Sequence, residues 1–358
     1  MDILIILLLL ICLWRCKFSF SGHPDYISRT QTDSIKGIFA IIILYSHMRG
    51  YLDGSEAVWS RGIYDLVISI LGQSMVVMFL LYSGYGIMEA LKRDRQKYTD
   101  TFVKRRLLKT WFVFAIAVSM FFALNAILGI TRDPINYITC WIGYGSIGNS
   151  NWFVFDILML YVLTYFGLLV ARWWNFTNKK IVLTIYIYTF IFLGMLIAAG
   201  KEAYWYDTVL AYPTGMLYSL YKEKIERAVE GWRWIAATAI LFLAFFFCRL
   251  KAESLINELS GPLYTVAILF LTISTTIVFA LFLVLLTMKL KIDNKVLRWL
   301  GTNAFAIYIL QRLAMILGEY LEWNNRDMIF AAFVIPATLI IAAIFTAATN
   351  KINKRLFY

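Results

Sequence analysis

The chain of 358 residues is a succession of apolar stretches. Each is long enough, at about 1.5 Å rise per residue, to cross a hydrocarbon core of roughly 30 Å. No other feature constrains the fold as strongly, because backbone groups in hydrocarbon must be satisfied within their own segment, which a helix achieves. About eleven helices are expected, near residues 3–20, 35–52, 63–91, 107–130, 151–172, 180–200, 203–221, 233–249, 262–288, 301–318 and 328–350. A composition of 61% hydrophobic residues and a mean hydropathy of +0.70 exceed what a soluble domain of this length can hide. The expected fold class is therefore an all-α polytopic membrane protein, residues 1–22 forming an N-terminal anchor helix and 23–358 one membrane-embedded domain.

The first stretch opens with Asp2 and is followed by Arg15 and Lys17, the reverse of a secretory signal, so it reads as an uncleaved anchor. Its dense apolar core, residues 3–14, reaches membrane width only if those two cations snorkel. Lysine and arginine then alternate from loop to loop. Residues 15–29, 92–106, 172–180, 222–233, 289–298 and the tail 351–355 are basic, whereas the intervening loops hold few cations, among them Arg49, Arg61, Arg132, Lys201, Arg249 and Arg326. Retention of positive charge in the cytoplasm places the N-terminus outside and the C-terminus inside.

This alternation accounts for nearly all of the formal charge of +12 and excludes a nucleic-acid footprint, which would gather on one face. One cluster exceeds the need: Lys92, Arg93, Arg95, Lys97, Lys104, Arg105, Arg106 and Lys109. It suits either orientation and anionic headgroups or a phosphorylated cytoplasmic ligand held by forked arginine donors. Cys12, Cys16, Cys140 and Cys248 show no metal spacing and read as core residues, so no metal site is expected.

Chemistry enters with His47, an imidazole inside an otherwise apolar span, where an ionisable group is a functional candidate by default. Lys36 lies eleven residues earlier, close to three helical turns and about 16 Å toward the cytoplasm, so the two share a helix face with Gly37, Ala40 and Ile43 between them. A long slender ligand would fit along that narrow stripe. The alternative is a histidine buried for packing. Asp156 falls at a similar depth and would orient the imidazole, and Gln311 and Arg312 reach mid-membrane from the opposite side. Arg312 either pairs with a carboxylate such as Asp156 or faces substrate. Ser83, Gly84 and Tyr85 serve helix contact or backbone approach to a ligand, Asn149, Ser150 and Asn151 suit a helix cap, and Pro213 suits a kink.

Taken in order, these pieces resemble the integral-membrane acyltransferase-3 family, which O-acylates cell-surface glycans and related acceptors. The resemblance is carried by Asp33, Lys36, Gly37 and His47, by Ser83, Gly84 and Tyr85, and by Phe102 with Arg105, Arg106, Leu107 and Lys109. Trp152, Phe153 and Tyr161, the Pro213 to Gly215 turn, and Ile307 with Tyr308 complete it, over residues 30–318. Two departures stand out: Lys36 replaces the commoner arginine, and Gln311 stands where many members carry a second histidine, so a second base is in question. The first span is additional to the family's ten-helix core.

The resemblance implies transfer of an acyl group, acetyl above all, from cytoplasmic acyl-CoA as co-substrate to a hydroxyl of a surface or lipid-linked glycan, with no permanently bound cofactor. It implies His47, Asp156 and Gln311 as catalytic residues, His47 acting as general base or accepting the acyl group itself. Donor contacts would come from Asp33, Lys36, Ser83, Gly84, Tyr85, Arg105, Arg106 and Lys109. Acceptor contacts would come from Asn151, Trp152, Tyr308 and Arg312, with Trp59, Trp141 and Tyr144 also suited to stacking on sugar rings. The expected partners are the lipid bilayer of a bacterial cytoplasmic membrane, acyl-CoA, the glycan and a second copy of the chain in a homodimer. The rival reading is a transporter or exporter of a glycan or small solute, which would also use intramembrane polar residues.

Overall fold

The computed structural model describes residues 1–52, 61–256, 259–292 and 294–357. Its elements are α1 (Asp2–Leu13), β1 (Cys16–Phe18), α2 (Arg29–Arg49), α3 (Gly62–Leu71), α4 (Ser74–Arg93), α5 (Arg95–Phe102), α6 (Lys109–Leu128), α7 (Pro134–Thr139), α8 (Trp152–Trp173), α9 (Asn178–Ala198), α10 (Ala211–Ala228), α11 (Trp232–Phe247), α12 (Glu253–Ile256), α13 (Gly261–Lys289), β2 (Leu290–Ile292), α14 (Lys295–Thr302), α15 (Ala304–Tyr320) and α16 (Asp327–Leu356). Among the described residues seven helical segments are long and apolar enough to cross a membrane, and α14 with α15, bent by 75°, forms an eighth if counted as one span. The protein is an all-α integral membrane protein.

Several expected spans take another form. The first helix ends at Leu13, because Arg15 adopts a left-handed φ of 62° and the following strand β1 pairs antiparallel with β2. Lys17 thus lies opposite Lys291 in a ribbon, and the helix covers 12 residues rather than the whole of 3–20. The stretch 63–91 is two helices, broken where Gly72 takes a φ of 48°. Pro213 kinks nothing. It sits in the first turn of α10, where its missing N–H has no intrahelical partner to lose.

Two helices escape the apolarity expected of a span for a physical reason. In α2, Gln31, Thr32, Asp33 and Ser34 are buried together with most of the following apolar residues, so the helix is wrapped by protein rather than lipid and can carry polar groups. In α10 the buried Tyr212, Tyr218 and Ser219 tell the same story.

Both interior helices are seated by reciprocal glycines. A Cβ on Gly37 would fall 2.0 Å from the Leu297 carbonyl oxygen, and one on Gly301 would fall 1.8 Å from that of Asp33, so α2 and α14 touch backbone to backbone. A Cβ on Gly84 would lie 1.9 Å from the Tyr212 oxygen and one on Gly215 2.0 Å from that of Leu81, which locks α4 to α10 in the same way. Small residues at such crossings let main chains approach and are a common basis of helix association in membranes.

The loops sort into two ends. The basic loops meet one another: Lys291 pairs with Asp25 at 2.9 Å, Arg95 donates to the Phe176 oxygen at 2.6 Å, Arg172 pairs with Asp100 at 2.9 Å, and Tyr26 meets Tyr218 and the Lys222 ammonium. The loops poor in cations meet at the other end, where Arg49 pairs with Asp65, Arg61 reaches Asp327, Arg249 binds the end of α3, and Asn324 donates to Tyr51. The charge alternation read along the sequence is therefore a spatial segregation in the fold.

Candidate active site

His47 lies in the last turn of α2, near the end poor in cations. Its Nδ1 is 2.6 Å from Nε2 of Gln311, which α15 presents across the helix interface. The same amide nitrogen donates to the Tyr308 carbonyl at 3.1 Å. A carbonyl needs a donor, and of the two ends of the amide only the nitrogen is one, so this contact fixes which end faces the ring. Nδ1 then accepts the second amide hydrogen, which leaves the ring's own hydrogen on Nε2. Gln311 is wholly buried and tightly held, so it sets both the orientation and the tautomer of the imidazole.

His47 is half-buried because one side of it faces a cavity of about 380 Å³. The walls come from α2 (Ile43, Ser46), α3 (Ile68, Ser69), α4 (Met75, Val76), α8 (Trp152) and α15 (Tyr308). Arg49 and Arg249, both exposed, also line it and mark its mouth at the end poor in cations. Tyr308 stands with its ring centroid 6.0 Å from that of His47 and 5.4 Å from Phe153, so an aromatic wall flanks the imidazole.

Of the other residues expected to be catalytic, Asp156 does not reach the imidazole. It is completely buried in α8, and neither carboxylate oxygen has a hydrogen-bond partner among the described residues. Gln311 occupies the position beside His47 that Asp156 was expected to fill. Arg312, the residue after Gln311, forms no ion pair with Asp156 or with any other carboxylate among the described residues, and its buried Nε has no hydrogen-bond partner. Its charge bears on His47, Tyr51 and Tyr308. Asn151 precedes α8 without a side-chain cap, its carbonyl taking the Val154 and Phe155 N–H groups. Trp152 lines the cavity, whereas Trp141 stacks on Phe122 and Tyr144 lies under the Lys201 ammonium, and Trp59 lies outside the described residues.

The residues expected to hold a donor fall into separate places. Asp33 is buried and pairs with Lys36 at 2.5 Å and Arg29 at 3.8 Å. The narrow stripe running from Lys36 is filled at Gly37 by the main chain of α14, so no slender ligand lies there. Gly84 is likewise turned into the α10 contact and offers no surface to a ligand. Ser83 instead meets the Tyr161 hydroxyl at 3.1 Å, and Tyr85 packs at 6.3 Å from Tyr218. Between α5 and α6 the chain makes a π-helical turn, Val103–Leu108, in which Arg105 is exposed while Arg106 turns inward and donates from Nε to the Tyr98 hydroxyl at 3.0 Å. Lys109 follows, half-buried. Arg106 also bears electrostatically on Tyr212, whose hydroxyl meets Thr164 at 2.7 Å, so Arg106, Tyr98, Tyr161 and Ser83 form a polar seam inside the basic end.

The family model for the acyltransferase-3 domain, described as an acyltransferase domain, matches residues 30–347. The chain belongs to the acyltransferase-3 family. No curated protein and no solved structure matches it. The acyltransferase-3 match runs from the start of α2 into α16 and so contains His47, Gln311, the polar seam and the whole cavity. Sequence reading missed Ser46, Ser69, Gln73, Arg49 and Arg249 as lining residues of this acyltransferase. In the sequence both arginines stand only as sparse loop cations, although Arg49, two residues beyond His47, is signalled by proximity.

Proposed function

We propose that this membrane acyltransferase moves an acyl group, acetyl above all, from acyl-CoA entering at the basic end to a hydroxyl of a surface or lipid-linked glycan entering the cavity at the other end. The observation that carries the reading is His47 pinned by Gln311 at the wall of an open cavity, within a domain of this family. The basic end would face the cytoplasm of a bacterial cell, where positive loops are retained.

In this reading the donor's phosphates meet Arg105 and Lys109, and its arm follows the hydroxyls of Tyr161 and Ser83 inward from Arg106, leaving the Asp33 and Lys36 pair as a charged collar on α2. The acceptor hydroxyl attacks the thioester carbonyl, forming the ester C–O bond while the C–S bond breaks. The tautomer imposed by Gln311 gives His47 a hydrogen on the nitrogen free to face the cavity. Its first act is therefore donation to the carbonyl oxygen as negative charge builds there, and the hydroxyl proton passes to the departing thiolate. This differs from a general base, which needs that nitrogen bare. Trp152 and Tyr308 offer faces for a pyranose ring.

The test is purified protein in lipid nanodiscs with acetyl-CoA labelled in the acetyl group. Label should pass covalently to a polysaccharide hydroxyl, and His47→Ala should abolish the transfer. If a glycan instead crosses a proteoliposome membrane unmodified, and no label transfers, the protein is an exporter and the reading fails.

A further inference from the structure

Charge around the cavity narrows the acceptor. Arg49 is matched by Asp65 at 2.8 Å, and Arg61 links that carboxylate to the buried Asp327, at 3.7 Å and 3.5 Å, so this group of four is balanced. Arg249 is different. Its guanidinium lies against Gly72 and gives its Nε and Nη2 hydrogens to the Ser69 and Ile70 carbonyl oxygens, at 3.1, 3.0 and 2.5 Å, at the C-terminal end of α3. Carbonyls hold a guanidinium in place, and the partial negative charge of a helix end offsets it in part, but a net positive charge remains. Among the described residues no carboxylate comes within ion-pair distance of Arg249 or of Arg312, and the described cavity wall contains no acidic side chain. The buried Asp207 senses the Arg249 charge only across a gap longer than an ion pair.

We infer that the acceptor carries a fixed negative charge, a carboxylate or a phosphate, held on Arg249 at the mouth while its hydroxyl approaches His47, with the unpaired Arg312 charge near the imidazole adding to the attraction. This inference rests on the acyl-transfer reading and names the acceptor class within it. Arg249 is oriented by α3 before any ligand arrives, so it presents its remaining donors with little loss of side-chain freedom, and a guanidinium matches the planar geometry of a carboxylate. The same features disfavour a cationic acceptor.

The experiment uses the full-length protein in nanodiscs with labelled acetyl-CoA and three matched oligosaccharides: one bearing uronic acids, its carboxyl-reduced form, and a phosphorylated form. Either charged form should be labelled at least tenfold faster than the reduced one, and the two charged arms distinguish a carboxylate from a phosphate as its source. In Arg249→Gln, checked by its thermal transition, the ratio should fall toward one, and Arg249→Lys should restore part of it. On the unmodified protein, free glucuronate should compete with acceptor whereas its methyl ester should not. Equal labelling of charged and reduced acceptors, or equal competition by acid and ester, overturns this inference and leaves acyl transfer standing. Absence of His47-dependent label in all three acceptors overturns the acyl-transfer reading, and this inference with it.

Discussion

Replacing Gln311 by glutamate exchanges a hydrogen-bond donor for an acceptor at the nitrogen of His47 that decides its tautomer. In the native protein the amide nitrogen serves both Nδ1, at 2.6 Å, and the Tyr308 carbonyl, at 3.1 Å. Moving the ring hydrogen to Nδ1 would require the amide to turn over, which removes the bond to Tyr308 and sets two oxygens against each other. The Tyr308 carbonyl keeps its bond within α15, so the loss is that of one buried hydrogen bond, about 0.5–1.5 kcal/mol, to which the oxygen–oxygen repulsion adds. At about 1.4 kcal/mol per decade the hydrogen bond alone holds the native tautomer by roughly 2- to 12-fold. The ionised carboxylate introduced by Gln311→Glu has no hydrogen to give, so the ring should switch to the Nδ1–H form and expose a bare Nε2. The chain has only two histidines, His23 and His47, which makes ¹⁵N NMR of ring-labelled protein readable, with His23→Gln to assign the signals. Recorded at alkaline pH, native Nδ1 of His47 should resonate as unprotonated and that of Gln311→Glu as protonated, and acetyl transfer should fall at least tenfold. A native Nδ1 that already carries the hydrogen would refute the reasoning.

The glycine crossings give a sharper structural test: Gly84→Ala should lower the unfolding temperature in detergent by several degrees, while Gly86→Ala, with open space around it, should leave it unchanged. Arg106→Ala removes the donor to Tyr98 at the inner seam and should raise the KM for acetyl-CoA more than it lowers kcat. Outside the membrane the Lys291 ammonium, hydrogen-bonded at 2.9 Å, holds the Asp25 carboxyl below its ordinary value. A depressed carboxylate stabilises the fold above the unfolded pKa and loses that contribution as pH falls, so below about pH 4 the native protein should lose a little more stability than Asp25→Asn in pH-dependent melting. Single cysteines at exposed Lys104 and Glu202, in a background lacking the four native thiols, should react with impermeant reagents from opposite sides of the membrane, Lys104→Cys from the cytoplasmic one.

Much of this architecture could be read from the chain because hydrocarbon imposes simple rules. The span 151–172 became α8, and 180–200 became α9, nearly residue for residue. The alternation of lysine and arginine foretold which loops would share an end. Local departures were harder to see. Nothing at Arg15 announced that β1 would find a partner at Leu290–Ile292, far along the sequence. Periodicity put Gly37 on one face with His47, but only the packed fold shows α14 occupying that face at Gly37. Depth counting likewise placed Asp156 and Gln311 at similar levels, yet which one touches the imidazole depends on helix rotation, and α15 turns Gln311 toward it.

The contact between Gly37 and Gly301 also bears on how the chain is made. The polar first turns of α2 are covered by α14, which begins roughly 250 residues after α2 ends. At ribosomal speeds of about 5–20 residues per second that partner arrives on the order of 10–50 s later. Throughout that interval Asp33 and Lys36 must be sheltered by the insertion machinery or by provisional neighbours, so newborn chains truncated before α14 should be prime targets for membrane quality-control proteases.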